Sequence, residues 1–253
     1  MGCGCSSSSA AAASEPLPPA PPAPPAPPAP APALTPYELE EKANKLKAAD
    51  KCMEAQPEYQ AAAAAFREHL GDSHPDTLHA ITNLAIALQV LGRLGEAEPL
   101  FREVLAARRE ALGGAHPRTL ACLGYLALLL QSDGRPAEAV PLLEEQLEGR
   151  RGTLGEAHPD TAASMYALAN LHEAAGGADE AEALYRAGVE GVAGALGPED
   201  PQVLAYARNL RRFLVQRERG AEADELMARL GVVDPLRIST AAAAEGEGAP
   251  LSS

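Results

Sequence analysis

The sequence has no tryptophan and only three phenylalanines in 253 residues, while alanine and leucine dominate. A large β domain, whose faces draw on aromatic and β-branched residues, is not expected from that composition. Helices packed closely through small side chains are. Positive charge is also scarce: 21 Lys and Arg stand against 35 Asp and Glu, a formal net charge of -14. Nucleic acid is a poor partner for such a chain, because phosphate contacts need a basic patch. No apolar run approaches the roughly 18 to 20 residues of a membrane span. The cysteines form no disulfide framework, since Cys3 and Cys5 lie at the extreme N-terminus and Cys52 and Cys122 stand singly in helical segments. That usage fits a reducing compartment. No Arg or Lys occurs before Lys42, which argues against an Arg-rich transit peptide. A phosphate-cradling glycine loop, a nucleophile elbow and a Cys/His pair at ligand spacing are all missing. The reading is therefore not an enzyme, with no cofactor and no small-molecule substrate expected.

What is present is a repeated phrase. Its clearest copy is Leu112-Gly113-Gly114-Ala115-His116-Pro117-Arg118-Thr119-Leu120, and the phrase recurs at Leu70-Gly71 through Leu78, at Leu154-Gly155 through Thr161 and, degraded, at Leu196-Gly197 through Pro201. Each Leu-Gly lies 42 residues after the last. A fixed period without insertions marks a stack in which each unit contacts its neighbours. Within a unit, helix A starts at the proline of the phrase, with His74, His116, His158 or Asp200 as N-cap. Leu78, Ile81, Leu84, Ala85 and Leu88 then recur at helical spacing. Gly92, Gly134 and Gly176 make the turn to helix B, which in the second unit runs from about Gly95 to Ala111. Adding 42 carries Ala97 to Ala139, Ala181 and Ala223, a small residue where the two helices cross. Arg211 breaks the column formed by Ala85, Ala127 and Ala169. The three histidines belong to separate repeats, too far apart to share a metal at bonds near 2 Å, so capping explains them and no metal site is expected.

Outside the repeats the chain divides further. Residues 1–9 read as an acylation signal: Gly2 follows Met1, Ser6 completes the Met-Gly-x-x-x-Ser pattern of myristoylation, and Cys3 and Cys5 supply sites for a second acyl chain. Residues 10–34 form an Ala/Pro-rich spacer that favours extended polyproline II. The solenoid is expected over 35–231, opening with a capping box at Thr35 and Glu38, then a helix to about Ala55 and a second from Pro57 to Leu70 in imperfect register with the later units. Residues 232–253 read as a disordered tail.

With these residues in hand, the segment 70–230 resembles the tetratricopeptide repeat, and specifically the 42-residue variety of kinesin light chains. The phrase Leu-Gly-x-x-His-Pro-x-Thr, the run Asn83-Leu84-Ala85, the turn Gly92-Arg93-Leu94-Gly95-Glu96-Ala97-Glu98 and Pro99-Leu100-Phe101-Arg102 carry the likeness. It implies an all-α fold, an α-solenoid of antiparallel helix hairpins with about four and a half repeats, flanked by disordered tails. It also implies a protein or peptide ligand on a concave face lined by the A helices. Exposed A-helix positions give the candidate partner-binding residues: Asn83, Gln89, Tyr125, Gln131, Tyr166, Asn170, Glu173, Arg208, Asn209 and Arg212. An extended peptide, its backbone held by amides and its acidic end near Arg208 and Arg212, would suit them. Thr82, Ile86, Gly124 and Leu128 stand where chaperone-binding relatives carry a carboxylate clamp, so that role is not expected. The expected function is an adaptor on a cytoplasmic membrane face, held by acyl chains on Gly2 with Cys3 or Cys5. The alternative is a scaffold or cargo adaptor without a lipid anchor. Some ciliary proteins are similar in combining myristoylation with such repeats.

Overall fold

The computed structural model describes residues 34–232, and all the regular structure among them is helical. Ten helices follow in order: α1 (Pro36–Ala48), α2 (Cys52–Leu70), α3 (Pro75–Val90), α4 (Leu94–Leu112), α5 (Pro117–Ser132), α6 (Pro136–Leu154), α7 (Pro159–Ala175), α8 (Ala178–Leu196), α9 (Pro201–Val215) and α10 (Gly220–Arg229). Consecutive pairs make five hairpins, the last ending on a helix of ten residues where the other B helices have nineteen. Odd-numbered helices are the A helices and even-numbered ones the B helices. The expected acylation signal with Gly2, Cys3 and Cys5, the spacer through residue 33 and the tail beyond residue 232 lie outside the described residues.

Each residue of the repeated phrase has a physical task. Gly71, Gly113, Gly155 and Gly197 sit at φ between 88° and 91°, and their ψ values lie near 160°, a conformation open to glycine alone. The histidine Nδ1 of His74, His116 and His158 accepts from the backbone N–H two residues on at 3.2, 3.1 and 3.0 Å, and Asp200 does the same through Oδ1 at 2.8 Å. Proline at the first helical position then wastes no donor. Thr119 and Thr161 donate their hydroxyls back to the carbonyls of Gly113 and Gly155, which closes the loop.

The turn inside each hairpin is equally regular, and here the structure corrects the sequence reading. The first helix ends at Ala48 rather than Ala55, and the second begins at Cys52 rather than Pro57. The break is at Asp50, which adopts φ +60°, as does Glu218 at +61° in the last hairpin; Gly92, Gly134 and Gly176 fill the same place between them. In all five turns the chain closes identically, by Lys51 N–H to Leu46 O, Arg93 to Leu88, Arg135 to Leu130, Gly177 to His172 and Arg219 to Leu214, at 2.8 to 3.0 Å. This is the six-to-one bond of a Schellman ending. The first hairpin is thus in full register with the rest, and Pro57 is an interior proline like Pro99 and Pro141.

Packing follows the 42-residue columns. Ala55, Ala97, Ala139, Ala181 and Ala223 are all fully buried where A and B helices cross, and Tyr59, Phe101, Leu143, Tyr185 and Met227 fill the adjoining groove. The core forms two clusters that meet along α7: Met165, Leu168 and Leu171 belong to the first, Ala162 and Ala169 to the second. Val232 packs into the second, its N–H bonded to Met227 O. Arg211, in the column of small residues, is half-buried and paired with Asp224.

Candidate functional site

The A helices meet one another along a seam that carries most of the expected binding residues, in two separate groups. The first lies between α3 and α5, in a groove of about 380 Å³ lined by Asp76, His79, Asn83, Arg108, Arg118 and Tyr125, among others. Asn83 is held from both sides, its amide donating to Glu40 Oε1 at 2.8 Å and touching His79 Nε2 at 3.2 Å. The Tyr125 ring is stacked over Phe101, their centroids 5.9 Å apart, with one face open to the groove. At the rim, Asp76 accepts the Tyr37 hydroxyl at 2.7 Å, which raises the Tyr37 phenol above its ordinary pKa.

The second group joins α7, α8 and α9. Tyr166 lies between Tyr206, stacked at 4.6 Å, and Tyr185, tilted at 5.0 Å. The Tyr185 hydroxyl donates to Asn170 and to Glu173, and Glu173 in turn accepts from Arg212 at 3.1 Å. Burial raises the phenols of Tyr166 and Tyr185, and the bond to Glu173 adds to the second, so both stay protonated. The Tyr166 oxygen is buried without a partner among the described residues. Asn170, Glu173 and Arg212 are thereby committed to one another through Tyr185, a rigid patch with an aromatic centre.

The remaining expected residues join neither group. Gln89 and Gln131 sit in the last turns of α3 and α5, the first half-buried and the second exposed. Asn209 is half-buried on α9. Arg208 does not share a site with Arg212: it lines a shallow groove with Arg211, Leu204, Met227 and Val232 beside α10, whereas Arg212 reaches back to α7.

Comparison with known proteins bears on the repeat fold. A family model described as "Tetratricopeptide repeat" matches residues 39–110, 78–145 and 123–192, more than half the chain. The chain belongs to the tetratricopeptide repeat family. It is similar to two crystal structures of nearly identical TPR-like repeats from a Podosopora anserina protein described as a kinesin light chain. One is 30% identical over 77% of this chain and 92% of the other with a TM-score of 0.68, and the second 29% identical over 84% and 97% with the same score. A Rap protein complexed with competence and sporulation factor shares the fold at 16% identity, over 77% of this chain and 52% of that one, with a TM-score of 0.58. Comparison with curated proteins gave no match.

Within the tetratricopeptide framework, sequence reasoning overlooked Arg108 and Arg118. Arg108, on α4, is nearly fully buried at the floor of the first groove, donating to Thr82 Oγ1 at 3.1 Å and to the Arg118 carbonyl at 3.2 Å. Arg150 repeats that contact one hairpin later, donating to the Asp160 carbonyl at 2.8 Å. One signal for Arg118 was visible: it stands where Asp76 and Asp160 stand in the neighbouring copies.

Proposed function

We propose that the chain is an adaptor that binds a partner peptide along the A-helix face of its repeats and is tethered to a cytoplasmic membrane face by acylation of Gly2 with Cys3 or Cys5. The observation that carries the binding half is the seam itself. The fold assigns its apolar columns to the A/B crossings, and the A-helix seam sets a row of aromatic, amide and charged side chains beside them, some braced by the crossing residues Phe101 and Tyr185. Such a row suits an extended peptide, whose backbone seeks amides and whose side chains seek aromatic faces. A tetratricopeptide fold is generally an interaction scaffold, and the Rap protein's complex gives the same fold a bound factor.

The tether is supported by sequence chemistry. A single myristoyl chain binds membranes only marginally, and the adjacent cysteines offer the second anchor that stable attachment needs. No helix among the described residues is long and apolar enough to cross a membrane, so attachment through them would be peripheral. Intact mass of the protein from membrane and soluble fractions of its native cell, before and after hydroxylamine, tests this. A myristoyl mass with a hydroxylamine-labile second acyl group is the expected result. An unmodified terminus in the soluble fraction removes the tether and leaves an unanchored repeat scaffold.

A further inference from the structure

Among the described residues the fold closes off most of the Ser and Thr hydroxyls. Thr77, Thr82, Thr119, Thr161 and Ser164 are buried. Of the exposed ones, Thr35 is held in the capping box with Glu38, Ser73 stands between Asp72 and Asp76, and Ser132 follows a run of leucines and Gln131. Thr153 differs from all of these. It is exposed in the last turn of α6, directly after Arg150-Arg151-Gly152 and before Leu154, which is 41% exposed. Two guanidinium groups at the third and second places before a hydroxyl, with an apolar residue just after it, form the charge pattern that arginine-directed protein kinases select.

Packing does not explain the hydroxyl. The same column of the other B helices holds His69, Ala111 and Ala195. Thr153 donates to the Gly149 carbonyl at 2.8 Å, a bond within one helix. Gly149 is required by the fold, because a Cβ there would lie 2.5 Å from the Leu120 side chain. Gly152 is not: an added Cβ would meet nothing within 4 Å, and α4 has Glu110 in its place. Glycine and β-branched Thr both weaken a helix, and Gly155 ends this one, so the final turn is the part of α6 that opens most readily. A kinase takes its substrate extended, and this turn can supply it. Arg151 is also at hand. Its counterpart Arg109 crosses the seam to Glu145, but Ala187 stands where Arg151 would find that carboxylate, and Arg151 turns to Glu156 in the loop instead.

We propose that Thr153 is the acceptor for an arginine-directed protein kinase, and that its phosphate draws Arg150 out of the seam between the third and fourth hairpins. In the transfer a P–O bond forms between the Thr153 oxygen and the γ-phosphorus of ATP, the bond from that phosphorus to the bridging oxygen breaks, ADP leaves, and the hydroxyl proton passes to the kinase. The product carries a charge of about -1.5 to -2. It sits at the negative end of α6, on the same helix face as Arg150 three residues before. Arg150 donates to the Asp160 carbonyl at 2.8 Å and to the Ser164 hydroxyl at 2.7 Å, both neutral. A phosphate is the stronger acceptor for a guanidinium. The proposal is independent of the tether and of any peptide on the A-helix face.

The test incubates the full chain with magnesium, ATP and the catalytic subunit of cyclic-AMP-dependent protein kinase, and locates the phosphate by peptide mass mapping. Phosphate on Thr153 is the expected result, at a rate about tenfold or more lower in Arg151→Ala. Thr153→Ala, which suits a helix, takes no phosphate there and should unfold at the same or a higher temperature. In the phosphorylated chain, amide exchange over the first half of α7 should speed up by about tenfold, with α3 and α4 unchanged. A chain that takes no phosphate at Thr153, or takes it as fast without Arg151, overturns the proposal. Exchange that quickens only at the end of α6, or nowhere, after complete phosphorylation overturns the release of Arg150.

Discussion

The seam between the second and third hairpins and the seam between the third and fourth use the same backbone and opposite chemistry. At the first, the outer surface is ionic: Arg135 bridges Glu98 and Glu138 at 2.7 Å each, and Arg109 pairs with Glu145. Around Val104 its interior is apolar, with Val104 fully buried and the Cys122 thiol against the Phe101 carbonyl, its pKa pushed by burial up to about 11; beside it the buried Arg108 donates to the Thr82 hydroxyl and the Arg118 carbonyl. At the second seam the charged positions are occupied by Val140, Gly177 and Ala187, and Arg151 turns back to Glu156, leaving its Nε buried without a partner among the described residues. The buried polar contacts are more extensive here. Gln146 stands where Val104 stood and donates to the Leu120 carbonyl at 2.7 Å, Ser164 replaces Cys122 and donates to Gln146 Oε1 at 2.9 Å, and Arg150 donates to the Ser164 hydroxyl at 2.7 Å. In a stack whose stability is a sum over neighbours, each seam can be built from a different interaction without disturbing the next. An ionic seam answers to salt and pH; a seam of buried hydrogen bonds answers to shape.

The largest test of that contrast is Gln146→Ala. It leaves the Leu120 carbonyl and the Ser164 hydroxyl short of a partner and opens a cavity, for a loss of about 3 kcal/mol in denaturant unfolding. Val104→Ala, in the matching place of the apolar interior, forfeits only contact and should lose about 2 kcal/mol or less. Equal losses would mean that the buried network contributes nothing beyond its volume. A smaller effect comes from the facing position. A Cβ added at Gly124 would lie 2.5 Å from Gln146 Nε2. Gly124→Ala should therefore cost about 1 to 3 kcal/mol by pushing the amide off the Leu120 carbonyl. The double variant Gly124→Ala, Gln146→Val, which moves the site toward the Thr82 and Val104 pair of the second hairpin, should recover part of the loss. Additive losses in a double-mutant cycle would refute the steric account.

Much of the fold was legible because the repeated phrase is local chemistry: glycine, cap, proline and threonine act within eight residues, so their spacing is their mechanism. The first hairpin was misread for the same reason. Its turn uses Asp50 in the left-handed conformation where glycine was the signal, and Pro57 looked like a helix start although Pro99 and Pro141 hold the same interior place. The seams were hidden because their partners lie far apart in sequence, as Glu98 and Arg135 do, and the pair returns only two repeats later, at Glu182 and Arg219, with Val140 and Gly177 standing between. Arg208 and Arg212 were grouped because four residues apart reads as one face. They differ by about 40° around the helix, and on α9 that angle separates the groove beside α10 from the contact to Glu173.

Acidity separates the seams by a third route. The bonds from Arg135 and Arg102 hold the Glu98 carboxyl below the usual carboxylate range, and Arg219 and Arg186 do so for Glu182 against the opposing effect of burial. A depressed folded pKa contributes stability that is present above the unfolded value, near 4.3, and is lost as pH falls through the folded value. Lowering the pH from 6 to 3 should thus weaken the second-to-third and fourth-to-fifth seams and spare the seam between them. Glu98→Gln should flatten the pH dependence of the urea midpoint. A midpoint that falls as steeply in Glu98→Gln as in the unaltered protein would show that this carboxylate is not a main source.

The smallest expected effect comes from writing the ionic chemistry into the seam that lacks it. Val140→Glu with Gly177→Arg restores the residue types that stand at Glu98 and Arg135, and again at Glu182 and Arg219. Gly177 is also an N-cap within a hairpin turn, at φ -78°, so an arginine meets no backbone penalty there. Its Cβ would approach Glu180 Oε2 at 3.2 Å, the mobile end of a side chain that can turn to pair with the new guanidinium, as Glu138 does with Arg135. The gain should be about 0.5 kcal/mol in dilute buffer and should vanish by about 1 M salt, the mark of a screened surface pair. A gain that survives high salt would instead point to better packing across the seam, and would mean that the ionic and buried-polar seams differ less in mechanism than their residues do.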